Sequence, residues 1–160
     1  MRYFRKGTRL IAIEPSIQMH VNLKKAAIKY GIDLEIRTVI GEAIDLPDNF
    51  CEFVVSTLVL CSVDDPGQCV QQIRRILKPL GKFAFIEHVS AKRNSVLFLI
   101  QWLVHRPWHW FFEGCHTNHD TKKVIQSVGF TSVYIEEYKL YSPFIPIMPQ
   151  IRGIAVKIIT

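Results

Sequence analysis

Apolar and polar positions alternate between two spacings along this chain, and each spacing predicts an element. The run Leu10-Ile11-Ala12-Ile13 predicts a strand over Arg9–Ile13, closed by Glu14-Pro15. Ser16 is placed to cap a helix over Ile17–Tyr30, with Gly31 as its stop. Helical spacing of Ile17, Val21, Leu23, Ala27 and Ile28 predicts its buried face. A second strand is expected over 34–39, and the apolar run 53–58 reads as a strand covered on both faces. Asp65-Pro66 is a helix start, Val70, Ile73, Ile76 and Leu77 its inner stripe, and 78–81 its end. Another strand follows over 82–87. The segment 95–112 is apolar and aromatic, helical as far as Val104 and interrupted at Pro107. Thr117 or Asn118 is expected to cap a helix to Val128, and two closing strands fall over 133–138 and 154–159. Alternation of this kind predicts one α/β domain over 1–160 with a mainly parallel sheet.

Composition agrees with a folded chain: 160 residues, 49% apolar and 21% charged. The net charge of +6 comes from scattered basic residues without an interleaved basic–aromatic tract, so no nucleic-acid partner is expected. Cys51, Cys61, Cys69 and Cys115 form no CxxC pair and read as reduced thiols. No apolar stretch is long enough to span a membrane. The expected location is the cytoplasm or the cytosolic face of an intracellular membrane. Aromatic residues from Phe98 to Phe112, with Lys92, Arg93 and Arg106 nearby, suit either a lid over a pocket or a peripheral membrane contact, and the lid is preferred.

Four features fall at strand ends, where ligands bind in open α/β sheets. Glu14 offers a carboxylate to ribose hydroxyls. Gly41-Glu42-Ala43 offers a close backbone approach and a polar edge to an adenine. The run from Thr57 to Ser62 offers backbone carbonyls to an ammonium group. Glu87-His88 offers an acid–imidazole pair for binding or proton transfer. Zinc-like spacing of His105, His109, Cys115, His116 and His119 is set aside because Pro107 breaks the helix that would align the first two, so no metal is expected. Cys61, among apolar neighbours, reads as an unreactive thiol. A nicotinamide dehydrogenase is disfavoured because the chain has no G-x-G-x-x-G.

Taken in order, Ala12-Ile13-Glu14-Pro15, Gly41-Glu42, Ser56-Thr57-Leu58-Val59-Leu60-Cys61-Ser62-Val63, Phe85-Ile86-Glu87-His88-Val89 and Gly114-Cys115 resemble the class I S-adenosylmethionine-dependent methyltransferases. Within that class the chain is most similar to the methyltransferase-like 7, or thiol methyltransferase-like, family. The resemblance implies a Rossmann-like sheet, S-adenosylmethionine as cofactor, and methyl transfer to a small-molecule acceptor, expected to be a thiol. It implies that Glu14, Gly41, Glu42, Ala43, Thr57, Leu58 and Val59 bind the cofactor. It further implies that Trp102, Trp108 and Cys115 border the acceptor, with His88 as the catalytic candidate. Two departures are visible. The first strand and its Gly-rich loop have no counterpart ahead of Arg9, so an N-terminally truncated sheet is expected. Leu80 also stands where the family has the first glycine of a Pro-Gly-Gly turn. A catalytically inactive methyltransferase-like fragment, acting by binding a partner or a membrane surface, is the alternative; oligomeric state stays open.

Overall fold

The computed structural model describes residues 1–112 and 114–158, in two compact units, Met1–Asp45 and Leu46–Thr160. The first unit is a β–α–β motif: β1 (Arg9–Ile13), α1 (Ile17–Tyr30) and β2 (Asp33–Arg37), followed by a 3₁₀ turn at Gly41–Ala43. The two strands are parallel, from Arg9 opposite Asp33 to Ile13 opposite Arg37. Gly31 ends α1 in the left-handed region at φ 65°, as the glycine stop predicts. Ser16 occupies the N-cap position, but its side chain makes no capping bond. The expected buried face of α1 is only partly right. Ala27 is buried and Leu23 half-buried, whereas Ile17, Val21 and Ile28 are exposed. These three share a stripe roughly 120° around the helix from the Leu23–Ala27 side.

Among the described residues the second unit is a four-stranded sheet with three α-helices and a 3₁₀ turn at Ile145–Ile147. It contains β3 (Cys51–Thr57), α2 (Pro66–Ile76), β4 (Leu77–His88), α3 (Val96–Phe111), α4 (Thr121–Ser127), β5 (Ser132–Lys139) and β6 (Pro149–Val156). The strand order is β3-β4-β6-β5. β3 and β4 are parallel, while β6 runs antiparallel to both β4 and β5. This second sheet is therefore mixed, not mainly parallel, whereas β1 and β2 form a parallel pair. α2 starts as expected: Asp65 Oδ1 accepts the Gln68 amide at 2.9 Å, Pro66 takes the first turn, and Val70, Ile73 and Ile76 are buried, but it ends at Ile76 rather than at 78–81, and the buried Leu77 already opens β4. Phe83, Phe85, Ile125, Ile151 and Ala155 complete the core.

Several boundaries move. Phe53 and Val55 of β3 are half-exposed rather than covered on both faces, and Ile86 and Ile154 on the central strands are exposed as well, so one face of this sheet lacks a covering layer among the described residues. The segment 78–81 bulges out of the β3–β4 ladder, and Leu80 sits there at φ 61°, the backbone region that favours glycine. α3 continues through Pro107 to Phe111, and α4 is capped by Asp120 instead of Thr117 or Asn118. The last strand begins earlier, at Pro149, and Ile159 lies outside the described residues. Gly153 of β6 permits a close approach: a Cβ there would lie 2.1 Å from the Tyr134 carbonyl oxygen and 2.7 Å from Phe85 Cζ.

Candidate active site

The parallel strands β3 and β4 end side by side, and one carboxylate ties their tips together. Glu87 is fully buried. Its Oε1 accepts the Ser56 hydroxyl at 2.5 Å and the Val59 amide at 3.2 Å, and its Oε2 accepts the Leu60 amide at 3.1 Å. The loop after β3 is thereby fixed with Leu58 at φ 54°, a strained conformation that persists only where its surroundings over-determine it. Burial raises the Glu87 carboxyl above the usual carboxylate range, against the opposing pull of its three donors. Glu87 and His88 do not form the expected acid–imidazole pair. They are consecutive on a strand and point to opposite sides. Glu87 serves the loop, while His88 Nε2 lies 3.0 Å from Cys115 Sγ.

His88 and Cys115 face a cavity of ≈ 290 Å³ with Cys61 and Ser62. Its apolar wall is Leu58, Trp108, Phe112, Phe144 and Ile147. Trp108 stacks on Phe112 at 4.0 Å between ring centroids, and Phe144 meets both edge-on. The Cys115 thiol is pulled down to about 4, first by the hydrogen bond from Cys61 and then by His88, against the cost of burial. Cys61 moves up, because it donates to Cys115 and is itself buried. The floor of the cavity is thus two sulfurs and an imidazole, beneath an aromatic wall.

Trp102 does not join Trp108 and Cys115 at this cavity, contrary to the sequence expectation. It is 66% exposed and absent from the lining. The reason is helical phase: Trp108 follows Gln101 by seven residues and shares its inward face, whereas Trp102 is turned about 100° away. Gln101 holds a place that no local pattern marks. Fully buried, it accepts the Ala91 amide at 2.7 Å and donates to the Pro146 and Val89 carbonyls at 2.8 and 3.2 Å. Thr117 donates to its backbone carbonyl at 3.0 Å. Gln101 fastens α3 over the β4 exit. Beside it, the unbroken helix sets His105 and His109 in one cluster with His116 and His119, at ring separations of 4.5–6.3 Å. Burial and the neighbouring rings push His116 and His119 down. Pro107 therefore does not keep these histidines apart.

The remaining candidates fall in both units. In the first, Glu14 follows the tip of β1, where its Oε1 accepts the Ser16 amide at 2.9 Å and its carbonyl oxygen lies 2.9 Å from His20 Nε2. Gly41, Glu42 and Ala43 form the 3₁₀ turn, with Glu42 buried. In the second, Thr57 ends β3, and Leu58 and Val59 are partly exposed at its tip. The Val59 carbonyl accepts the Ser62 amide at 2.8 Å, so this carbonyl already closes a turn.

This fold is that of the class I methyltransferases. A SAM-dependent methyltransferase from Methanosarcina mazei superposes with a TM-score of 0.72 at 16% identity, over 96% of this chain and 84% of its own. The chain belongs to the methyltransferase-domain family, which it matches over residues 1–85. It is similar to thiol S-methyltransferase TMT1B of Rattus norvegicus, 33% identical over 138 residues, covering 86% of this chain and 53% of the relative. It is also similar to thiol S-methyltransferase TMT1A of Homo sapiens, 28% identical over 159 residues, covering 98% of this chain and 65% of the relative. The chain thus spans about half to two thirds of the length of these curated relatives.

Proposed function

We propose that this chain carries S-adenosylmethionine-dependent methyl transfer to a small apolar thiol. The single observation that carries the reading is the cavity at the β3 and β4 tips, with its sulfur–imidazole floor and aromatic wall. A concave, mainly apolar site with a few convergent polar groups suits a small hydrophobic ligand. The names of the relatives support a thiol as that ligand.

Each unit, taken by itself, offers residues that suit the cofactor. The Glu14 carboxylate, which accepts the Ser16 amide at a strand tip, would accept hydrogen bonds from a ribose. Gly41, Glu42 and Ala43 offer a turn to an adenine, and Thr57, Leu58 and Val59 offer the loop locked by Glu87. When bound, the sulfonium supplies an activated methyl group. The protein's share is positioning: Glu87 fixes the loop, Trp108 and Phe112 exclude water, and His88 with Cys115 holds charge at the cavity floor.

Isothermal titration of the full chain with the cofactor, followed by product analysis with an alkyl thiol, tests this. Binding abolished by Glu14→Ala, together with a methylated product, is expected. Neither heat nor product at saturating cofactor would leave the inactive-fragment reading. That second reading draws on one observation: Val96, Leu99, Trp102, Leu103, Trp110 and Phe111 of α3 are all exposed. Among the described residues no helix is long and apolar enough to cross a membrane. Such a face suits a peripheral contact at the cytosolic side of an intracellular membrane. Vesicle flotation that fails for Trp102→Ser and Trp110→Ser together supports that contact; flotation unchanged by the pair removes it.

A further inference from the structure

All of the chain's six histidines except His20 gather with two of its four cysteines in the second unit. Within this group three side chains stand apart. Cys61, His88 and Cys115 are all buried, and one ligand atom from each lies within 4.8 Å of the other two. Among the described residues no other trio of His, Cys, Asp or Glu meets that spacing. We propose that Cys61, His88 and Cys115 are the protein ligands of a zinc-class divalent cation whose fourth position opens on the cavity and takes the sulfur of the acceptor thiol.

Two sulfurs and an imidazole are the soft donor set that selects such ions, and three protein ligands with an open fourth position is the pattern of catalytic rather than structural sites. Tetrahedral bond lengths set the donors about 3.6 Å apart, so His88 and Cys115, now 3.0 Å apart, need to part by only roughly 0.6 Å. The supports are rigid. His88 sits in β4, paired with Gln150 of β6, and the His116 amide donates to the Cys61 carbonyl at 2.7 Å, which pins the Cys115 segment to the Cys61 loop. The cavity supplies both the entry path and the open side, since Cys61, His88 and Cys115 all line it. On binding, the S–H bond of the incoming thiol breaks, a sulfur–metal bond forms, and the proton leaves to solvent; nothing is oxidised or reduced. That the fourth ligand is the acceptor rests on the thiol reading above, whereas the metal site itself does not.

Cobalt(II) titration of the reduced full chain tests both parts without any turnover. Stoichiometric binding is expected, with intense sulfur-to-cobalt charge-transfer bands and tetrahedral d–d bands that shift when an alkyl thiol is added. Cys61→Ser and Cys115→Ser should each lose the charge-transfer bands, and Cys51→Ser should keep them. In case a variant misfolds, alkylation mapping of the unmodified chain gives the same answer: zinc should protect Cys61 and Cys115, and a chelator should restore their labelling. Absence of the sulfur bands, bands that survive Cys115→Ser in a folded protein, or unprotected Cys61 and Cys115 overturns the metal site. Bands indifferent to the thiol overturn the open position. Loss of methyl-donor binding, measured separately by titration of Glu14→Ala, leaves these spectra untouched and so bears only on the methyl-transfer reading.

Discussion

The Ser56 hydroxyl donates to Glu87 Oε1 at 2.5 Å between two neighbouring parallel strands, and both side chains are buried. The same carboxylate then accepts the amides of Val59 and Leu60, so a single side chain of β4 sets the course of the chain leaving β3. Three donors on one buried carboxylate make this contact expensive to break.

Replacing Glu87 by Gln keeps the shape but turns one acceptor oxygen into a donor, which leaves an amide of the loop without its partner. A loss of about 1–3 kcal/mol in urea unfolding is expected. The pH dependence has a definite sign. The folded carboxyl titrates above its unfolded value, so its contribution to stability is full below the ordinary carboxylate range and is lost as pH rises through the raised value. Glu87→Gln should remove that part of the decline from the stability–pH curve.

Cys115 should behave as a thiolate well below neutrality, because Cys61 and His88 both donate to it. In chelator-treated protein, its alkylation rate should stay nearly flat from about pH 6 to about pH 8, where an ordinary thiol changes roughly tenfold per unit. His88→Ala should raise the titration and restore the slope. A slope like that of a free thiol in the unmodified protein would contradict the assignment.

Leu80 holds a backbone conformation suited to glycine, with its side chain more than half exposed. Leu80→Gly should therefore stabilise the chain by about 1 kcal/mol, since little packing is lost and a left-handed strain of roughly that size is relieved. Thermal unfolding would show the gain, and a fall in midpoint would contradict it.

Gln101→Leu should cost about 2–3 kcal/mol, because the Ala91 amide and the Pro146 carbonyl lose their buried partner. Hydrogen exchange at Ala91 and along α3 should accelerate, while β1 and α1 keep the exchange they show in the unmodified chain. Unchanged protection at Ala91 would show that the side chain does not fasten the helix.

The sequence alone determined the elements whose signals are local. The apolar run of β1, the Gly31 stop and the Asp65-Pro66 start each act through neighbouring residues, and all three stand where the pattern put them. It also marked the strand ends, and with them Glu14, Thr57 and His88. Tertiary structure alone decided what those residues touch. Glu87 meets partners 27 to 31 residues away, and Cys61 meets Cys115 through a segment that only folding brings back. Helical phase decided that Trp108 faces inward and Trp102 outward, and the packing of whole layers decided which face of β3 is covered. Spacing along a chain fixes hydrogen bonds and periodicity within a few residues, whereas the distance between remote side chains depends on how whole elements pack, which no local pattern encodes.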